Sequence, residues 1–181
     1  GYAGSATHQR DFEGASAALQ RLLDEFRGRV ACRFIGFCPP ELRGRPDVEV
    51  WAGSVQYRRY AALLRRARFD IALAPLKADR FNVAKSDIKY LEYSACGYPT
   101  VVADIEPFRR SVSPERGVLV PPGDAESWYE ALRRLIEAPD QRRALGDAAR
   151  RYVWSHRTVD AMLPQWMAVW GAASGRGAEL P

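Results

Sequence analysis

NVAKSDIKYLEYSACGYPTVVAD, residues 82–104, is the stretch on which the reading of the fold turns. A polar, cationic loop leads into a helical stretch, Gly97, Tyr98 and Pro99 break it, and a short β-branched run follows. Loop, helix, turn and strand in this order form the layout of a ligand crevice in an open α/β sheet, where ligands sit outside the carboxyl ends of the strands. All three lysines of the chain, Lys77, Lys85 and Lys89, fall in or just before this stretch, although Lys and Arg together number 27. Elsewhere positive charge is arginine.

Outward from this stretch, strands alternate with helices. Phe12, Ala15, Leu19, Leu22, Leu23 and Phe26 fall at helical spacing and predict an amphipathic helix over 12–26. Residues 30–35 form a mostly apolar run stopped by Gly36, and 48–52 a shorter one; both predict strands. Tyr60, Leu63, Leu64 and Ala67 stripe a helix over 57–68, and 71–76 is the continuous apolar run of a buried parallel strand. Further helices are expected over 86–95, 125–137, 140–154 and 159–171, the last kinked or interrupted at Pro164. Strands are expected over 100–103 and 117–120. Residues 1–4 read as the end of a strand entering a glycine turn, with no methionine ahead of it, which suggests a domain cut from a longer protein. Residues 172–181 are small and polar and read as a disordered tail. The alternation predicts a doubly wound parallel sheet, Rossmann-like, with helices on both faces, as a single domain over 1–171.

Global figures set bounds. A chain of 181 residues buries a real core, and 47% apolar with 27% charged residues is ordinary for a globular protein. A net charge of +5 favours anionic ligands, but the arginines are spread too widely to point to nucleic acid. No apolar run approaches the roughly 20 residues that span a bilayer. Cys32, Cys38 and Cys96 lack metal-type spacing and read as reduced thiols of a cytosolic protein. Two distant histidines and the lack of an Asp-x-Asp pair suggest no metal site, and there is no Gly-x-Gly-x-x-Gly or P-loop motif.

Within 86–95, Ser86 reads as the N-cap and Asp87 as a first-turn acid, with Ile88, Leu91 and Ala95 as the buried face. Glu92 lies about 40° around the axis from Ile88, at the rim of the core. Lys85, Lys89 and Glu92 share a face if Lys85 continues the helix. A rim carboxylate beside two cations and a helix N-terminus suits a sugar diol while amides and lysines hold phosphate. The same spacing also describes a solvated ion pair between Lys89 and Glu92, worth a few tenths of a kcal/mol.

Leu91, Glu92, Tyr93, Ala95, Gly97, Pro99, Val101, Val102 and Ala103 match the pattern Leu-Glu-(aromatic or Ala)-x-Ala-x-Gly-x-Pro-Val-Val-Ala, with Thr100 inserted before the valines. This resembles the donor-site helix of the group 1 (family 4-like) glycosyltransferases of the GT-B fold. Gly53, Val55, Leu63, Ala67, Asp70 and 71–75 resemble the family's approach to the same site. Residues 117–124 resemble its Gly-φ-φ-Val-Pro-Pro-Gly-Asp turn, and Trp128 and Leu132 the helix behind it. The likeness covers roughly 1–153.

The resemblance implies one half of a GT-B enzyme, the nucleotide-sugar-binding domain of a glycosyltransferase. That enzyme would move a hexose from a nucleoside diphosphate to a hydroxyl acceptor, with no metal or other cofactor. By the same likeness Glu92 would hold the ribose hydroxyls, and Val55 would lie near the base through its place in the loop. Asn82, Ser86 and Lys89 would face the diphosphate and sugar. Gly4, Ser5 and Arg10 stand where the family has Gly-Arg-x(4)-Lys, so Arg10 keeps the second cation while Ser5 replaces the first. Arg10 and Lys85 would stabilise the leaving group. Ala84 stands where the family has a second glutamate that touches the donor sugar, which leaves the sugar and the stereochemical outcome open. A glycan or lipid acceptor would be held by a separate N-terminal domain, toward which Val159, Met162, Trp166 and Trp170 would pack. The isolated chain would then bind a donor without transferring it. With its reduced thiols and dispersed arginines, the protein is expected to be cytoplasmic, peripheral at the inner membrane face, with no nucleic-acid partner. Two other readings stay open: a catalytically silent module binding a nucleotide or protein, and half of a sugar-nucleotide epimerase.

Overall fold

A computed structural model describes residues 1–173. Strands β1 (Tyr2–Gly4), β2 (Cys32–Gly36) and β3 (Val48–Trp51) form one parallel sheet, and β4 (Ala72–Ala74), β5 (Thr100–Ala103) and β6 (Val118–Val120) a second. The sheets meet at their inner strands. The Gly1 nitrogen donates to the Ile71 carbonyl at 2.6 Å, and the Leu73 N–H to the Gly1 carbonyl at 2.9 Å. Read across this seam, the order is β3-β2-β1-β4-β5-β6, the doubly wound arrangement whose direction reverses between β1 and β4.

Helix α1 (Ala15–Glu25) packs on α6 (Ala125–Glu137), pinned by the Tyr129 hydroxyl donating to Glu25 at 2.5 Å and by Arg21 on Glu126 at 2.8 Å. On the opposite face α4 (Ile88–Ala95) lies between α2 (Tyr57–Ala67) and α7 (Pro139–His156). Strands β4 and β5 are buried along their whole length, as strands covered on both faces must be. Two short helices, α3 (Arg80–Val83) and α5 (Glu106–Arg109), sit in the crossovers, and α8 (Val159–Ala173) ends the described chain. Residues 174–181, the remainder of the expected tail, lie outside the described residues. All three cysteines are free thiols.

Several expectations are corrected. The helix expected over 12–26 begins at Ala15, because residues Ala6–Phe12 form a 3-10 helix and Gly14 breaks the chain at φ 81°. A side chain there would start 2.5 Å from the Gly123 carbonyl. Helix α4 begins at Ile88, so Ser86 is not its cap and Lys85 lies outside its phase. Asp87 occupies the cap position without capping; its carboxylate is held by Arg157 and Ser111. The buried face of α4 is Tyr90, Tyr93 and Ser94, whereas Ile88 is 51% exposed. Pro164 is carried inside an uninterrupted α8, which runs two residues past the expected end at 171. The stripe expected on α8 faces outward at Val159, Trp166 and Trp170.

Gly146 lies inside α7 against the Gly97 turn, where an added Cβ would overlap the Gly97 carbonyl and sit 3.3 Å from the Pro99 ring. A helix-interior glycine ordinarily gains about 1 kcal/mol on conversion to alanine. Here Gly146→Ala is expected to lose about 1–3 kcal/mol instead, as overpacking pushes α7 off α4. Thermal unfolding gives the sign.

Candidate functional site

The reversal point between β1 and β4 shapes a crevice. In a strand, backbone groups of alternate residues face the same neighbour, so Ala3 presents its N–H and carbonyl to the β4 side as Gly1 does. They meet side chains of α4 there instead of a strand. The Ala3 N–H donates to the Tyr93 hydroxyl at 2.9 Å, and the Lys89 ammonium donates to the Ala3 carbonyl at 2.6 Å. The strands therefore part after Gly1, and a lysine stands in the opening, 4.8 Å from the centre of the Tyr2 ring. Burial lowers the Lys89 pKa to about 8, against the opposing pull of Glu92 and Asp11.

The carboxyl ends of β1, β2 and β3 are lined with glycine. A side chain at Gly4 would overlap the Tyr2 hydroxyl and start 2.8 Å from the Lys89 Nζ. Gly36, at φ 88°, has no room for a Cβ beside the Gly4 carbonyl, and one at Gly53 would sit 3.1 Å from the Gly36 Cα.

Glu92 stands on α4 facing α2. Its Oε2 accepts the Tyr60 hydroxyl at 2.8 Å. Burial raises the Glu92 pKa, while the Tyr60 hydrogen bond and the charge of Lys89 pull it back. The groove that holds Glu92 is lined by Tyr57, Tyr60, Arg65, Arg150 and Trp154. A second cavity, of about 780 Å³, lies at the amino ends of the strands, among Val30, Asp47, Phe69 and Arg142. It holds none of the expected site residues and sits at the edge of the sheet opposite to that used by ligands in open α/β folds.

The loop after β4 is held by Asp11. Its Oδ1 accepts the Lys77 N–H at 3.0 Å and the Asn82 side-chain amide at 2.9 Å. The same amide also donates to the Lys77 carbonyl at 2.9 Å, and Asp79 caps α3 by accepting the Asn82 N–H at 2.7 Å. Asn82 is buried, and its side-chain amide nitrogen is engaged within the loop that it shapes.

A family profile described as glycosyl transferase-like matches residues 10–168. The chain belongs to that family. D-inositol 3-phosphate glycosyltransferase of Saccharomonospora viridis is 33% identical over 116 residues, 61% of this chain and 26% of that protein. A GDP-mannose-dependent monoacylated alpha-(1-6)-phosphatidylinositol monomannoside mannosyltransferase of Corynebacterium glutamicum is 29% identical over 106 residues, 57% of this chain and 28% of that protein. The chain thus spans about a quarter of the length of these curated relatives. Among solved structures, a glycosyltransferase of Rickettsia africae superposes with TM-score 0.69 at 12% identity, over 97% of this chain and 48% of the other. HepE of Anabaena in complex with UDP gives 0.66 at 14%, over 94% and 48%. The fold is that of one Rossmann-like half of a GT-B glycosyltransferase.

On this glycosyltransferase domain the expected site residues fall into two groups. Gly4 and Lys89 meet at the carboxyl end of β1, and Glu92 stands one turn further along α4, in the groove against α2. The others are loop residues. Ser5 shares a 2.7 Å hydrogen bond with Thr7, Arg10 and Ser86 are exposed, Val55 is fully exposed, and Lys85 stacks over the Phe81 ring at 4.8 Å. Ala84 ends α3 on the surface. Among the described residues no three His, Cys, Asp or Glu side chains converge as a metal site would, and no helix is long and apolar enough to cross a membrane. Tyr60 and Asp11 were not singled out from sequence. Tyr60 was visible only as one member of an apolar stripe, and Asp11 gave no signal, since its partners lie some 70 residues away.

Proposed function

We propose that the chain is the donor-binding half of a glycosyltransferase that moves a hexose from a nucleoside diphosphate to a hydroxyl acceptor. The observation that carries this reading is a half-buried ammonium, Lys89, at the reversal point of the sheet, one turn along α4 from a carboxylate, Glu92, held by a phenol. Glu92 would accept hydrogen bonds from the ribose hydroxyls. Lys89, with Arg10, Lys85 and the loop amides around Ser5 and Ser86, would face the diphosphate. As the bond between the anomeric carbon and the diphosphate oxygen breaks, negative charge collects on the diphosphate, and fixed cations and amides stabilise it without reorganising. No metal is assigned to this step. Val55 would approach the base through its backbone. Ala84 leaves the donor sugar to other loop contacts.

The acceptor, a glycan or lipid hydroxyl, would be held by a further domain. The span of only a quarter of each curated relative supports this, as does the outward apolar face of α8. Lipid acceptors would place the enzyme on the cytoplasmic face of a membrane.

Calorimetric titration with UDP, GDP, ADP and dTDP tests the reading: one nucleotide should bind saturably, and failure of all four would oppose it. The affinity should also depend on pH. Lys89 is charged below about pH 8 and loses its proton above it, so diphosphate affinity is expected to fall between pH 7 and 9. A Lys89→Met variant should bind more weakly and with a flat profile over that range. A wild-type profile as flat as the variant's would remove Lys89 from the site.

A further inference from the structure

Little in α4 itself fixes the direction of the Glu92 carboxylate. Ile88, one turn earlier, is exposed, and Lys89 turns away to the Ala3 carbonyl. The grip comes from the neighbouring helix. Tyr60 donates its hydroxyl to Glu92 Oε2 at 2.8 Å, and is itself fixed, half-buried, on the side of α2 that buries Leu64 and Ala67. Its N–H is bonded to the Gln56 carbonyl at 2.9 Å, which places it in the first turn, directly after the 52–56 loop. Burial holds the phenol in its protonated, donating form. An ionised carboxylate offers about four lone-pair sites on two oxygens. Tyr60 takes one on Oε2 and leaves Oε1 free to meet a diol.

We infer that Tyr60 is a positioning residue that aims Glu92 at the ribose, and that the pair sets discrimination between ribo- and 2'-deoxyribonucleotides. This rests on the nucleotide site proposed above. A hydrogen bond to a carboxylate weakens steeply once its angle fails, so an untethered Glu92 should keep its charge and lose its selectivity. Tyr60 also stands in the first turn of the helix that follows the Val55 loop. Base and ribose are therefore read by segments joined through one short stretch of backbone.

The test titrates wild type, Tyr60→Phe, Glu92→Ala and the double variant with the ribonucleoside diphosphate that binds and with its 2'-deoxy analogue. Tyr60→Phe keeps the ring and its packing, and thermal unfolding confirms that it folds. It is expected to weaken ribonucleotide binding about fivefold, the worth of one hydrogen bond, and to leave the deoxy analogue within twofold. In the Glu92→Ala background the same change should have no further effect. A Tyr60→Phe variant with the wild-type ribo-to-deoxy ratio, alongside a Glu92→Ala variant that has lost it, would overturn the role of Tyr60 and spare that of Glu92. If Glu92→Ala also keeps the ratio, the ribose reading of Glu92 fails, and the Tyr60 inference with it. Absence of nucleotide binding by the wild type overturns both.

Discussion

Glu92→Ala is expected to lower nucleoside diphosphate affinity at least tenfold while leaving the fold in place. The carboxylate is half-buried, so its hydrogen bonds to a diol form in a partly desolvated groove, where one to a charged group is worth about 1.5–3 kcal/mol. The low end of that range already corresponds to roughly tenfold. The fold should tolerate the change, because Glu92 packs into no core layer and the Tyr60 hydroxyl it releases opens onto the groove. Glu92→Gln, which can still accept from a hydroxyl and from Tyr60, should fall between. Calorimetry measures the affinity and thermal unfolding checks the fold. An affinity within twofold of wild type would remove Glu92 from the site.

The largest expected effect on stability lies elsewhere. Arg157, in the turn between α7 and α8, forks onto Asp87 with Nη1 at 2.9 Å from Oδ2 and Nη2 at 3.1 Å from Oδ1. It also donates to the buried Ser111 hydroxyl, which itself contacts Asp87, and Arg116 binds the Ser111 carbonyl at 2.8 Å. One cluster thus ties the start of α4, the loop after α5 and the α7–α8 turn. Removing one partner of a buried pair strands the other, at a cost of about 3–5 kcal/mol. Arg157 keeps 24% of its side chain exposed, so Arg157→Ala is expected near the lower end, about 3 kcal/mol. The Asp87→Ala, Arg157→Ala double variant should cost clearly less than the sum of the two single changes. Urea unfolding at neutral pH provides the numbers. A loss below about 1 kcal/mol would mean that solvent replaces the pair and that it behaves as a surface contact.

Much of the architecture was legible because buried parallel strands write continuous apolar runs and amphipathic helices write stripes. Thr100–Ala103 and Ala125–Glu137 fall where the sequence puts them. The phase of α4 did not. Its tyrosines look polar by their hydroxyls, yet they are buried because each hydroxyl finds a backbone partner, Tyr93 at Ala3 and Tyr90 at the Arg116 carbonyl. The 3-10 segment before Gly14 was missed for a different reason: Phe12 is in the core, as its spacing suggested, but reaches it from outside the helix. At the site, Lys89 and Glu92 were visible as residue types at a fixed spacing. What each one touches was not. Ala3, Tyr60, Asp11 and Arg157 lie between 32 and 90 residues from the partners that place them at the site or in the cluster, and pairing over such separations leaves no local pattern.

The most direct test is a crystal structure of the chain with the nucleoside diphosphate that titration selects. The expected result has a ribose hydroxyl within hydrogen-bonding distance of Glu92, with Tyr60 still on the other carboxylate oxygen. The diphosphate should lie over the carboxyl ends of β1 and β4, within reach of Lys89. A nucleotide seated in the cavity at the amino ends of the strands, or with its ribose turned away from Glu92, would contradict the account.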